Sequence, residues 1–321
     1  MNLLRCGRLL TIAGMVCMTL VVLCLLAATV SADDTVLVFT YFTGNGEDGL
    51  HIAWSNDGLI WEKAAGGASF LAPEVGNQRL MRDPSVARGP NGVFHMVWTV
   101  SWNDRVIGYA SSPDLVHWTE QRTIPVMLHE SEARNCWAPD LFYNKSTNRF
   151  VIVWSTTIPG RFPETEASSE TSYNHRMYYT TTADFQTFTP TMLLFDPGFN
   201  CIDGTIASDG DRYVLFFKDE TLDPPAKNIR IAFSDAAIGP YVPTPGPITG
   251  DFWAEGPTAI QIDGRWLIYF DMYRKNRYGV IVSDDLRSWR DISDSISFPD
   301  GARHGTVLQV ERSILSGVMH R

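Results

Sequence analysis

Cysteine and positive charge are both scarce in this sequence, and each shortage removes a class of protein. Five of 321 residues are cysteine, and three of them (Cys6, Cys17, Cys24) fall at the extreme N-terminus, leaving Cys136 and Cys201. Two thiols cannot build a disulfide scaffold, and no zinc-type cluster of His and Cys accompanies them. A single disulfide is one reading of the pair; two separate buried thiols is the favoured one. Lys and Arg number 26 against 36 Asp and Glu. Without a basic stripe, nucleic acid and anionic membrane are poor partners. No stretch concentrates Pro and Gly as a linker would, so one large domain is expected.

The one long uncharged apolar run lies at the start. Arg5 and Arg8 precede Leu9 to Val30, and Val30-Ser31-Ala32 supplies small residues for cleavage. Residues 1–32 therefore read as a signal peptide, and the mature chain, 33–321, as secreted or periplasmic. The run is also about 20 residues long, enough to span a bilayer, so an uncleaved anchor is the competing reading. Removal of the signal takes two arginines and no acid, leaving 24 basic residues against 36 acidic ones, a net charge of −12.

A short phrase recurs five times: an alternating strand, a Ser/Asp-type turn, then an aromatic residue. The copies run His51 to Trp61, Ile107 to Trp118, Met177 to Phe188, Ile229 to Tyr241 and Tyr278 to Trp289. Their aromatics are 57, 70, 53 and 48 residues apart, the length of a four-stranded propeller blade with loops. From the second copy on, each is preceded by a hydrophobic strand entered through Asn, Asp and Gly: Val93–Thr99, Phe150–Ser155, Tyr213–Lys218 and Trp266–Asp271. The fold class is all-β, a five-bladed β-propeller. Its chain starts with strands that lack an inner partner and ends with an inner strand, Arg303-His304-Gly305-Thr306-Val307, that lacks outer ones. Joining the termini completes the fifth blade and removes exposed edges.

Before each hydrophobic strand lies a shorter, channel-lining one. The other four open with Arg82-Asp83-Pro84, Trp137-Ala138-Pro139-Asp140, Ile202-Asp203-Gly204 and Ala254-Glu255-Gly256-Pro257. Four of the five place an ionisable residue directly before Gly or Pro. Asp-Pro and Asp-Gly also simply initiate turns, but a ring of acids aimed at one axis is unfavourable for stability, and its recurrence points to use. Burial and mutual repulsion should raise their pKa values. If Pro139 aligns with Pro84, Ala138 replaces Asp83, and Asp140 lies deeper as a channel-lining hydrogen-bonder. Flat apolar faces and planar donors stand close to these acids in sequence: Trp102, Trp137, Phe199 and Trp253 are candidates for the first, Arg82, Arg161 and Arg303 for the second. Trp61, Trp118 and Trp289 recur with the repeat and are assigned to packing between blades.

The order Asp-Pro, Trp-Ala-Pro-Asp, Ile-Asp, Glu-Gly-Pro and His-Gly, one motif per blade, resembles glycoside hydrolase family 43, the five-bladed arabinofuranosidases and xylosidases. The resemblance covers essentially the whole mature chain. It implies an inverting hydrolase acting on oligo- or polysaccharide to release arabinofuranose, xylose or, less readily, galactose. It further implies Asp83 as general base, Glu255 as general acid, and Asp203 as the carboxylate that tunes the acid. Inversion needs two carboxyl groups roughly 6.5–9.5 Å apart, and non-neighbouring blades suit that gap. Repulsion from Asp203 is expected to keep Glu255 protonated near neutral pH. The resemblance also implies that His304 lies beneath the pocket, where it can contact a structural Ca²⁺ or halide; the chemistry itself requires no cofactor. Two departures stand out: 50 mature residues precede Asp83, and Ile202-Asp203-Gly204 replaces the usual Ile-Asp-Pro. The rivals are a propeller that binds glycan without cleaving it, and a retaining fructan hydrolase. The latter would carry a Trp-Met-Asn-Asp-Pro nucleophile and a Glu-Cys acid, and neither is here.

Overall fold

The computed structural model describes residues 34–170 and 173–319. The expected signal peptide lies outside them. Twenty strands form five four-stranded antiparallel sheets. The chain opens with β1 (Thr35–Phe42), β2 (His51–Ser55) and β3 (Glu62–Lys63). Three complete blades follow: β4 (Arg82–Arg88), β5 (Phe94–Thr99), β6 (Ile107–Ser112) and β7 (Arg122–Ile124); β8 (Trp137–Asn144), β9 (Arg149–Thr157), β10 (His175–Thr182) and β11 (Met192–Phe195); and β12 (Cys201–Asp209), β13 (Arg212–Asp219), β14 (Asn228–Ser234) and β15 (Val242–Pro243). The last complete blade is β16 (Glu255–Ile262), β17 (Arg265–Met272), β18 (Arg277–Ser283) and β19 (Arg290–Asp291), after which β20 (Arg303–Glu311) pairs with β1. The two ends of the chain thus share one blade, β20-β1-β2-β3. The outermost strands β3, β7, β11, β15 and β19 are only two to four residues long, which leaves little open edge for another chain to pair with.

The repeated phrase has a hydrogen-bonding cause. After the third strand of a blade, Asp57, Asp114, Asp184 and Asp285 each accept two backbone N–H groups from the following turn. The aromatic that follows closes the same turn in three blades: Trp61 and Trp118 donate their indole N–H to the carbonyls of Gly58 and Leu115, and Tyr241 its hydroxyl to Ala237. Each such ring then packs into one of five apolar cores that lie between neighbouring blades, Trp61 against Phe39 and Tyr269, Trp289 against Phe216. The C-terminal helix α1 (Arg312–Met319) seats Leu315 and Val318 in the core between the first two blades. Cys136 and Cys201 are both buried and unpaired.

The inner strands β4, β8, β12, β16 and β20 touch in a ring around the axis. Each carries an irregularity at the same level, where two of its residues face one of its partner: Arg82/Ser85, Trp137/Asp140, Ile202/Thr205, Glu255/Thr258, and Thr40/Phe42 opposite Arg303 and Thr306. Just past it, a polar side chain fastens one blade to the next. Ser85 accepts the N–H of Leu141, Asp140 that of Ile206, and Thr258 that of Val307. Asp140, which also accepts a bond from the Ser85 hydroxyl, is therefore a stitch between blades and does not line the cavity.

Candidate active site

The bulges aim the chemistry. Asp83, Ala138 and Asp203 occupy the bulge with φ of 53°, 45° and 57°, the left-handed region that costs a non-glycine residue about 1–2 kcal/mol and that Asp tolerates better than most. In the β16 bulge that position is Gly256 (φ 58°), where a Cβ would lie 2.3 Å from His304 Cγ. No side chain fits there, so the carboxylate comes from the preceding residue. Glu255 is thus one position out of step with Asp83 and Asp203, level instead with Arg82, Trp137, Ile202 and Arg303, and its longer side chain makes up the reach. Reading the four ionisable residues as equivalent because each precedes Gly or Pro is corrected on this point.

These strands open on a cavity of about 410 Å³ at one end of the channel, into which Asp83, Asp203, Glu255, Arg82, Arg303, His304, Trp102 and Trp137 all project. Four predicted residues do not reach it. Phe199 stacks on Phe217 in the core between the third and fourth blades, beneath Arg230. Trp253 lies under the Arg274 guanidinium, beside Tyr273. Asp140 is the stitch described above. Arg161, too, is elsewhere, paired with Glu130. Phe199 and Trp253 precede inner strands by only two residues, yet each packs against rings and cations outside the cavity, so sequence proximity to an acid does not place a ring over it.

Asp83 is held by two partners. The Thr99 hydroxyl donates to it at 2.8 Å while accepting the N–H of Ala138, and His304 Nδ1 lies 3.3 Å from its other oxygen. Burial pushes this carboxyl up, but His304, Arg82 and Thr99 together outweigh it and hold the pKa at about 2. Burial pushes His304 down, and Asp83, Asp203 and Glu255 reverse that to about 9. The imidazolium therefore donates to Asp83.

Asp203 accepts the N–H of Gly256 at 2.9 Å, which ties it to the residue after Glu255. Burial, together with the charges of Glu255 and Asp83, raises it to about 6 despite the neighbouring His304 and Lys218. Glu255 goes the other way. Burial would raise it, but Lys218 Nζ at 3.1 Å and Arg303 Nη2 at 3.0 Å hold it below the ordinary range. The expectation that Asp203 keeps Glu255 protonated is thus reversed: the proton the pair shares rests on Asp203, because the two cations lie on Glu255.

Lys218 and Asp271 were not singled out in the sequence, yet both shape the site. Asp271 grips Arg303 at 2.5 Å from behind and is itself raised to about 6, chiefly by burial. A signal was present: Thr99, Ser155, Lys218 and Asp271 are polar residues at or near the ends of apolar second strands, and each pairs with the residue just before a bulge.

The pH dependence follows from these values. kcat/KM reports groups of the free enzyme, and acid catalysis needs one proton on the Asp203–Glu255 pair. That proton is lost as pH rises through about 6, whereas Asp83 stays ionised down to about 2. The expected profile has an alkaline limb near pH 6 and no acid limb until the protein is far more acidic. A limb lying above about pH 8 would contradict the assignment.

The family described as "Probable glycosyl hydrolase domain", related to glycoside hydrolase family 43, matches residues 34–314. An α-L-arabinofuranosidase of Bifidobacterium longum is 26% identical over 218 residues, covering 59% of this chain and 20% of that protein; the chain spans about a fifth of the length of this relative. Among solved structures, a thermostable family-43 glycoside hydrolase is similar with a TM-score of 0.52 at 18% identity, over 70% of this chain and 78% of that one. The exo-β-1,3-galactanase of Phanerochaete chrysosporium gives 0.50 at 13% identity, over 69% and 53%. At such identities the structural likeness speaks for the five-bladed fold, and the match along 34–314 carries the family: the chain belongs to this glycosyl hydrolase family.

Proposed function

We propose that the protein hydrolyses the terminal glycosidic bond of a plant or microbial polysaccharide with inversion, releasing a pentose, α-L-arabinofuranose ahead of β-D-xylose. The observation that carries this reading is the convergence of Asp83, Asp203 and Glu255 from three inner strands on one cavity. A glycan-binding propeller has no use for an ionised, histidine-clamped carboxylate facing a second carboxylate held by two cations. Asp83, ionised at about 2, acts as the base that takes a proton from water. Glu255 delivers the proton to the leaving oxygen, and Asp203, bonded to the next backbone N–H, shares that proton with it. Trp102 and Trp137, packed edge to face at 5.4 Å, offer the apolar wall, and Arg82, lying 4.3 Å over Trp102, stiffens it. A cavity of about 410 Å³ suits a terminal sugar and the linkage beyond it. The arabinofuranosidase relative supports the choice of pentose.

Nitrophenyl α-L-arabinofuranoside, β-D-xyloside and β-D-galactoside, with NMR of the first-formed anomer, test it together. Turnover of a pentoside with the inverted anomer is expected. A retained anomer removes the inverting mechanism, and turnover of the galactoside alone moves the sugar. Export is proposed from Arg5, Arg8 and the apolar run, and is supported by a family match that begins only at residue 34. N-terminal sequencing of protein recovered outside the cytoplasm should begin at Asp33; a chain still starting at Met1 opposes cleavage.

A further inference from the structure

Behind Glu255 runs a line of alternating charges that leaves the cavity and ends at the protein surface. Lys218, at the far end of β13, lies 3.1 Å from Glu255 Oε2 and 2.6 Å from Glu220 Oε2. Glu220 is paired in turn with Lys227, and Lys227 Nζ is 2.9 Å from Glu170, which stands in solvent on the loop before β10. The two ammonium groups are almost wholly enclosed, with side-chain exposures of 3% and 1%. Burying two lysines in one line is expensive, and only close carboxylates on both sides of each make it tolerable. For stability alone an apolar filling would serve as well or better, so the arrangement points to what it holds, which is one oxygen of Glu255.

We propose that Lys218 is a positioning residue for the acid Glu255, fixed from behind by Glu220 and Lys227, which sets both the direction of the carboxyl group and its readiness to take up a proton. The proposal rests on the reading of Glu255 as general acid. The geometry supports it from two sides. Arg303 holds Oε1 at 3.0 Å and Lys218 holds Oε2 at 3.1 Å, so neither oxygen is free to swing. Arg303 is itself anchored by Asp271, and Lys218 by Glu220, so each cation is gripped by a carboxylate on its far side. The other groups facing Glu255 are Asp203, His304 and the Tyr273 ring, which lies 4.8 Å beneath the Lys218 ammonium. Of the cations, Lys218 has the largest share in holding Glu255 down. Removing it should therefore move the alkaline limb of kcat/KM upward by roughly one unit, while the loss of orientation lowers the plateau.

The test uses the full chain and two glycosides of one sugar. One carries dinitrophenol, which leaves without a proton, and the other phenol, which needs one. Lys218→Met should lose on the order of 10²-fold on the phenyl glycoside and only a few-fold on the dinitrophenyl one, with the limb displaced upward. Since Lys218→Met takes from Glu220 one of its two cations, the variant Lys218→Met/Glu220→Gln, which removes one charge of each sign, is measured beside it and should behave alike. Equal losses on both glycosides with an unmoved limb, in the folded variants, overturn the proposal. Glu255→Gln is the reference: should it lose equally on both glycosides, the acid assignment itself fails, whatever Lys218 does.

Discussion

Asp83→Asn is expected to lower kcat by on the order of 10²- to 10⁴-fold, the range a general base supplies, with KM little changed. The reason is that the substitution removes the charge and almost nothing else. Asn is nearly the same shape, tolerates the left-handed backbone at φ 53°, and can still accept the Thr99 hydroxyl that also anchors Ala138. It cannot take a proton from water, and it no longer stabilises the His304 imidazolium 3.3 Å away. His304 should then lose its proton at lower pH than the present value of about 9, which NMR of the imidazole resonances would follow. Calorimetric titration with the released sugar should show binding preserved. A variant retaining a tenth or more of wild-type turnover would remove Asp83 from the role of base.

The contrast between what the chain discloses and what it conceals has a physical basis. Blade number, blade order and the sharing of one blade by both termini are legible because they rest on local chemistry repeated from blade to blade. An Asp capping its own turn and an aromatic bonding back three or four residues leave a mark within about a dozen positions. The acids are legible for a similar reason: bulges need residues that accept a left-handed backbone, and Asp-Pro, Asp-Gly and Glu-Gly announce them. The exact alignment is not. Nothing in Ala254-Glu255-Gly256-Pro257 says that Gly256 sits level with Asp83; that depends on His304, some 48 residues on, filling the space a Cβ would need.

The charge state of the site was the least legible feature, because it depends on partners drawn from other blades. Lys218 reads as the last residue of an apolar strand, Tyr213–Lys218, and Asp271 as the end of another; only the propeller brings them to Glu255 and Arg303. A count of neighbouring acids therefore gave the wrong sign for Glu255. The rings failed for a complementary reason. All four rings lie near an acid in sequence, but Phe199 and Trp253 pack elsewhere, whereas Trp102 and Trp137, which do form the wall, are joined by a hydrogen bond from the Trp137 indole to the Trp102 carbonyl across two blades.

Glu255→Gln is expected to divide substrates by their leaving groups. With a poor leaving group such as phenol or a sugar, kcat/KM should fall by about 10³-fold; with dinitrophenol it should fall far less, since that group departs without a proton. The alkaline limb near pH 6, which in the wild type records loss of the proton shared by Asp203 and Glu255, should vanish for the dinitrophenyl glycoside in this variant. The fold should tolerate the change. A glutamine carbonyl can still accept from either Lys218 or Arg303, and both cations keep a second carboxylate, Glu220 and Asp271 respectively. The amide N–H₂ must then face the other cation, so some stability is lost locally while the five inter-blade cores are untouched. The assignment stands or falls on the ratio of the two losses: a common factor on both glycosides would mean that Glu255 binds the sugar and donates nothing.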